Sequence, residues 1–156
     1  MKIILLLTGK TNNKHIAVLM DDYHKRINKY CSFNITEIPD IKFSTATTPA
    51  IIREKEFIAQ HKLVTQGSYV VLLDETGKQY TSKKFADFIT QKQLANIKQL
   101  VFITGGAYGF SKSLYSITQE IMSLSLMTFP HQLVRLIFTE QLYRAFTILN
   151  NEQYHH

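Results

Sequence analysis

A buried run that breaks on two glycines is the segment of this 156-residue chain best suited to holding a ligand. In Val101-Phe102-Ile103-Thr104-Gly105-Gly106-Ala107-Tyr108-Gly109-Phe110, apolar residues run directly into Gly105-Gly106, with Gly109 close behind. Glycine lets the backbone approach a ligand closely and adopt positive φ, and α/β folds bind ligands at the C-terminal edge of a parallel sheet. The same residues are equally compatible with a tight strand–helix turn that holds nothing. Two nucleotide-binding readings fail on spacing. No GxGxxG follows the first apolar run, and Gly9-Lys10 lacks the preceding glycine of a phosphate loop. The second candidate is Leu124-Ser125-Leu126-Met127-Thr128-Phe129-Pro130-His131. Pro130 sits where a first-turn proline precedes a helix, and Thr128 is a candidate cap. Alone this is also a plain strand–loop–helix junction. Side by side at one sheet edge, the two loops would wall a single site. The remaining candidates are Arg135, Glu140, Arg144 and the closing Tyr154-His155-His156. Arg135 and Arg144 are about two and a half helical turns apart and share no stripe. Each reads equally as a surface arginine or a salt-bridge partner between subunits. The terminal histidines read by themselves as a frayed end.

These residues need a scaffold that gathers distant segments, and the apolar pattern supplies one. Ile3 to Leu7, Tyr69 to Leu73 and Leu100 to Thr104 are apolar without alternation, as in parallel strands covered on both faces. Phe33 to Ile38, stopped by Pro39, and Ile121 to Leu126 read as two further strands. Helical spacing predicts helices over about Asn13 to Tyr30, Ala50 to Leu63, a segment carrying Phe85, Phe88 and Ile89 behind Thr81 or Ser82, and a short one near Ser111. Asp74-Glu75-Thr76-Gly77 should close the third strand, and 40–49 should be a loop. The strongest helix is His131 to Asn150, whose apolar residues spread beyond one stripe. Such a helix packs on two sides, and a second subunit is one way to cover the extra side. Strands alternating with helices predict a single α/β domain over 1–156, with a mainly parallel five- or six-stranded sheet flanked by helices.

Composition narrows the partners. Hydrophobic residues make up 45% and charged residues 19% of the chain, which excludes bulk disorder. The net charge of +6 favours an anionic partner, of which nucleic acid is the commonest. Residues 1–110 hold fifteen Lys/Arg against nine Asp/Glu, whereas residues 111–156 hold three of each, so the excess lies in the first two-thirds. One cysteine, Cys31, excludes an internal disulfide and a cysteine-rich metal site. The apolar start at Ile3 to Leu7 lacks a cleavage signature, and no apolar run reaches the roughly 18 residues of a membrane span. A cytoplasmic protein that uses no metal and no membrane is the expectation.

At the glycine turn, the 124–132 segment and the tail, the sequence resembles the SPOUT superfamily, the knotted methyltransferases that bind S-adenosyl-L-methionine in a deep trefoil knot. Within it the chain is similar to the small single-domain family that methylates N3 of pseudouridine 1915 in helix 69 of 23S rRNA. The residues that carry the likeness are Phe102-Ile103-x-Gly105-Gly106-x-x-Gly109, Leu124-Ser125-x-Met127-Thr128-Phe129-Pro130-His131-Gln132, Arg135 with Glu140-Gln141-x-Tyr143-Arg144-Ala145, and Tyr154-His155. Lys2-Ile3, Gly9-Lys10, Tyr23-x-x-Arg26 and Glu37-Ile38-Pro39-Asp40 extend it over the first half. Ala107-Tyr108 and a 41–49 segment poor in charge depart from the family's habit.

The resemblance implies a C-terminal trefoil knot, with the cofactor region at about 70–150. It assigns cofactor contact to Leu73, Gly105, Leu124, Ser125, Leu126, Met127, Thr128 and Phe129. It implies a homodimer whose sites are completed across subunits, and assembled 70S ribosomes as substrate. N3 must lose a proton between two carbonyls, so a base or an anion-stabilising group is expected. His155 as base, Tyr154 as an orienting or stacking group and Arg135 against a carbonyl or phosphate are the catalytic candidates. Lys10, Lys14, Lys25, Arg26 and Lys29, with Arg144, are the expected RNA contacts. The rivals are a knotted methyltransferase acting on tRNA or another rRNA site, a ribosome-binding module without activity, and an unrelated dimeric α/β domain.

Overall fold

Strands apolar at successive positions must be covered on both faces, and the fold does this with helices. In the computed structural model, which describes residues 1–39, 41 and 47–154, five strands alternate with five helices among the described residues. The order is β1 (Lys2–Thr8), α1 (Lys14–Ile27), β2 (Ser32–Ile38), α2 (Pro49–His61), β3 (Tyr69–Gln79), α3 (Ser82–Leu94), β4 (Gln99–Thr104), α4 (Lys112–Ser116), β5 (Glu120–Ser123) and α5 (His131–Leu149). The strands form one sheet in the order β2-β1-β4-β3-β5, with every pair parallel. All strand C-termini therefore point the same way, and the turns after Thr8, Thr104 and Ser123 lie on one side together with the irregular 74–77 part of β3.

Side-chain alternation divides the core in two. Ile3, Leu5, Leu7, Val71, Leu100 and Phe102 face one way and pack under α1, α3 and α5. Leu6, Val70, Leu72, Val101 and Ile103 face the other way, with Leu114 of α4 and Phe57 of α2. In α5 the buried stripe is Phe138, Leu142, Ala145 and Phe146, with the Phe138 and Phe102 rings 4.6 Å apart. Leu133 and Ile137 fall off that stripe, which accounts for the wide apolar pattern of the helix. The helix starts follow local chemistry: the side chains of Asn13, Thr48, Thr81 and Ser111 each accept from the first turn of the helix they precede.

The structure corrects three expectations. The third strand does not close at Asp74-Gly77 but runs to Gln79 through an irregularity between Leu73 and Lys78. Gly77 permits this, because a Cβ there would lie 2.5 Å from the Ile121 carbonyl carbon. β5 ends at Ser123, leaving Leu124–Phe129 as a loop. Thr128 does not cap α5: Pro130 holds the cap position without a side-chain bond, and the Thr128 hydroxyl is used elsewhere. Of the expected 40–49 loop, Asp40 and residues 42–46 lie outside the described residues.

Candidate active site

At the common sheet edge, the 73–76 part of β3 and the ends of β4 and β5 surround a cavity of about 420 Å³, within the ~300–1,000 Å³ of small-molecule sites. The glycine turn forms one wall. There the Gly109 N–H donates to the Gly106 carbonyl at 3.1 Å, and Gly109 takes φ +76, a conformation other residues adopt at a cost. Phe110 folds back against Gly105. The 124–129 loop forms the opposite wall, bent by two local bonds. Ser123 Oγ donates to the Ser125 carbonyl at 2.8 Å, and the Met127 N–H donates to Ser125 Oγ at 2.9 Å. Thr128 Oγ1 donates to Glu75 Oε2 at 2.8 Å and ties this loop to β3. The main-chain N–H groups of Leu126, Thr128 and Phe129 donate to no other protein group among the described residues. Leu126 and Thr128 are exposed, so these donors are open to solvent or to a ligand.

Seven of the eight expected cofactor residues line this cavity: Leu73, Gly105, Leu124, Ser125, Met127, Thr128 and Phe129. Leu126 does not, being 81% exposed on the outside of the loop. Sequence reasoning missed Asp74, Glu75, Thr76, Phe110 and Val134, which also line it. The acidic pair was legible only as a turn, and the continuation of β3 is what turns it into a wall. Burial alone would raise the Asp74 carboxyl. Hydrogen bonds from Tyr115 Oη at 2.6 Å and from the Thr76 hydroxyl and N–H outweigh burial and hold it below its ordinary value. The cavity therefore presents a carboxylate at neutral pH.

A second cavity of about 300 Å³ adjoins the first. Gly106, Ala107 and His131 line both, so only the glycine turn and the start of α5 separate them. Its other walls include Thr8, Gly9, Lys10, Glu56, Tyr108 and Arg135.

The catalytic candidates fare differently. Arg135 is 1% exposed. Its guanidinium donates to the carbonyls of Thr8 at 2.7 Å, Gly9 at 3.1 Å and His131 at 3.2 Å, and to Thr11 Oγ1 at 3.0 Å. These bonds pin the turn after β1 to the first turns of α5. Arg135 thus spends its guanidinium on its own chain beside the second cavity, where a substrate contact was expected of it. Tyr154 does not reach either cavity of its own chain. Its hydroxyl donates to Glu140 Oε1 at 3.1 Å and lies 3.3 Å from Tyr23 Oη, and its ring meets Tyr143 edge-on. Burial, with help from Tyr23 and Glu140, pushes its phenol well above the ordinary value, so it is a donor and not a base. Tyr154 is therefore packed onto α1 and α5. His155 lies outside the described residues.

The expected RNA contacts also divide. Lys10, Lys14 and Lys29 are exposed and form no ion pair among the described residues. Lys25 and Arg26 pair along α1 with Asp21 at 2.6 Å and Asp22 at 2.8 Å. Arg144 pairs with Glu140 at 2.6 Å and stands over the Tyr154 ring, so it is the structural salt bridge.

Comparison with known proteins adds what geometry cannot. A family model described as a predicted SPOUT methyltransferase matches residues 1–155. Proteins named ribosomal RNA large subunit methyltransferase H are similar over the full length. That of Parabacteroides distasonis is 46% identical and that of Phocaeicola vulgatus 47%, each covering 100% of this chain and 99% of its own. No helix among the described residues is long and apolar enough to cross a membrane. Among solved structures, TrmJ from Z. mobilis matches with a TM-score of 0.55 at 11% identity, covering 94% of this chain and 70% of its own. A probable methylase family protein from Haemophilus influenzae gives 0.54 at 9%, covering 96% of this chain and 66% of its own, just under two thirds. These two speak to the fold alone.

Proposed function

Since the chain belongs to the SPOUT methyltransferase family, we propose that it methylates N3 of pseudouridine 1915 in helix 69 of 23S rRNA on assembled ribosomes, using S-adenosyl-L-methionine. The observation that carries this reading is the match, end to end, to large-subunit rRNA methyltransferases. The first cavity supports the cofactor. Its size suits a nucleoside carrying an amino-acid arm, its unspent main-chain N–H groups suit the acceptors of an adenine, and Asp74 and Glu75 suit a ligand with positive charge. When bound, that ligand supplies an electrophilic methyl on sulfur. Family membership implies that the 124–129 loop and α5 belong to a trefoil knot.

The chain's own residues hold and orient. The Thr128–Glu75 bond closes the loop over the site, and Arg135 fixes the turn that bears Gly9 and Lys10. Alignment of the reacting atoms is the main contribution such a site makes to a displacement. The chain works as a homodimer in this reading. Leu126 is 81% and Met127 76% exposed, and with Leu133 they form an apolar surface beside the cavity that a second copy would cover. Tyr154 is seated on α1 and α5 of its own chain, and His155 is the residue expected to take the N3 proton. Lys10, Lys14 and Lys29 supply phosphate attraction, while Lys25 and Arg26 can exchange exposed, salt-screened pairs for phosphates. The protein would act in the cytoplasm, where assembled ribosomes are.

The test is methyl transfer to 70S ribosomes from cells lacking this protein, with the modified nucleoside identified by mass spectrometry. Methyl on N3 of that pseudouridine is the expected product. Transfer to purified tRNA instead would replace this reading with the rival knotted enzyme. Absence of any transfer together with absence of cofactor binding would favour a ribosome-binding module.

A further inference from the structure

The first cavity carries charge opposite in sign to that of the chain around it. The protein has eighteen Lys/Arg against twelve Asp/Glu, yet the cavity is lined by Asp74 and Glu75 and by neither a lysine nor an arginine. His131 is the one other titratable group among its lining residues. Asp74 Oδ2 accepts from Tyr115 Oη at 2.6 Å, and Oδ1 accepts from the Thr76 N–H at 2.8 Å and the Thr76 hydroxyl at 2.7 Å. Glu75 Oε2 accepts from Thr128 Oγ1 at 2.8 Å. All of these donors are neutral, and neither carboxylate forms an ion pair among the described residues. Neutral donors orient a carboxylate and keep it ionised without cancelling its charge. The cavity thus holds two negative charges that no cation of the chain balances. Tyr115 also reaches the opposite wall: its ring meets Phe110 edge-on at 6.0 Å, and Phe110 folds against Gly105. One side chain therefore sets both the aim of Asp74 and the seat of the glycine turn.

We propose that Asp74 and Glu75 make this cavity select for the charge on sulfur, holding S-adenosyl-L-methionine in preference to the thioether left after transfer, and that Tyr115 is the positioning residue that aims Asp74. This rests on the cofactor reading given under Proposed function. Donor and thioether share the adenosine and the amino-acid arm. They differ by one methyl and one positive charge, since sulfur keeps the electron pair of the bond it loses. The arm presents the same ammonium and carboxylate in both, so a field acting on the arm alone cannot separate them. A negative field felt at sulfur does. No free lone pair on either carboxylate is required, because the effect is that of net charge across a cavity partly walled from water. The bias also promotes turnover. After transfer the cavity has lost the cation that balanced it, so the spent ligand is the one more readily exchanged.

The experiment is calorimetry of the full chain at one fixed protein concentration. It measures Kd for S-adenosyl-L-methionine, for S-adenosyl-L-homocysteine and for an analogue with an ammonium in place of the sulfonium. Asp74→Asn should lower the preference for donor over thioether by about 5-fold or more, with the loss falling on the donor. Glu75→Gln, whose amide oxygen still accepts from Thr128, should lower it by a smaller factor, because Glu75 is the more exposed of the two. The ammonium analogue should lose affinity in step with the donor, which separates charge from the bulk of the methyl. Tyr115→Phe keeps the Asp74 charge but releases Oδ2, and should lower the preference by about 2-fold. Added to Asp74→Asn it should lower the preference no further. A side chain that only props the fold would weaken all three ligands alike and leave the ratios unmoved, and urea unfolding checks that each variant is folded. A wild type that binds none of the three overturns the cofactor reading itself. A wild type that binds them, with ratios unchanged in folded Asp74→Asn and Glu75→Gln, leaves that reading standing and overturns the charge selection. Ratios that fall with Asp74→Asn but not with Tyr115→Phe overturn the role of Tyr115.

Discussion

Replacing Arg135 by methionine keeps the bulk of a long side chain and removes a guanidinium that is 1% exposed. The carbonyls of Thr8 and Gly9, on buried residues, lose a charged donor at 2.7 and 3.1 Å, and Thr11 and His131 lose weaker contacts. A buried polar group deprived of its partner costs ~1–3 kcal/mol, so the two carbonyls together place the loss at about 2–6 kcal/mol. Domains of this size are stable by only ~5–15 kcal/mol, so the change should be plain in a urea titration. Protomer concentration must be held fixed, because self-association adds to apparent stability. Arg135→Lys retains a cation that reaches fewer acceptors and should fall between the two. Cofactor affinity should weaken in step with the loosened β1 turn. A methionine variant that loses less than about 1 kcal/mol of stability, binds cofactor normally and yet transfers no methyl would refute the positioning role and return Arg135 to direct contact with substrate.

Other consequences can be tested singly. Gly77→Ala puts a Cβ against the backbone of Ile121 and Met122; it should cost at least about 2 kcal/mol by urea unfolding, whereas an unchanged midpoint would mean that β3 and β5 can part freely. Thr128→Val removes the bond to Glu75; at ~0.5–1.5 kcal/mol this predicts roughly 2- to 10-fold weaker cofactor binding by calorimetry, and equal affinity would show the loop is held by other means. Burial pushes the Cys31 thiol up to about 11. Because burial disfavours the thiolate, only about one part in a thousand is ionised at pH 8, so iodoacetamide should react slowly there and faster toward pH 11. Alkylation at pH 8 as fast as a free cysteine peptide would contradict that environment.

The sheet was legible because its strands are apolar at successive positions. Ile3–Leu7 and Leu100–Thr104 can be little other than strands covered twice, and the caps at Thr81 and Ser111 are local chemistry visible in a single line of sequence. Asp74 and Glu75 were not legible as site residues. Asp-Glu-Thr-Gly carries turn propensity, and only the approach of Ile121 to Gly77, a contact across more than forty residues, carries the strand through it. Glu56 was hidden for a similar reason. On α2 it shares the buried face with Ile52 and Gln60, and helical periodicity assigns buried faces to apolar residues. Arg135 was recognised as special, but a sequence does not show whether an arginine meets a substrate or three carbonyls of its own chain. Seven of the eight residues expected to hold cofactor line one cavity, since that loop is contiguous and its likeness to a family is dense.

Met127 links two equilibria. It lines the first cavity and is also 76% exposed on the loop that would meet a second copy. If filling the cavity and covering the loop both order the same six residues, each event lowers the cost of the other. Thermodynamic reciprocity then requires that cofactor tighten self-association by the same factor by which self-association tightens cofactor binding. Dilution would weaken cofactor affinity as it separates the subunits, and saturating cofactor would hold them together at protein concentrations where the free chains fall apart.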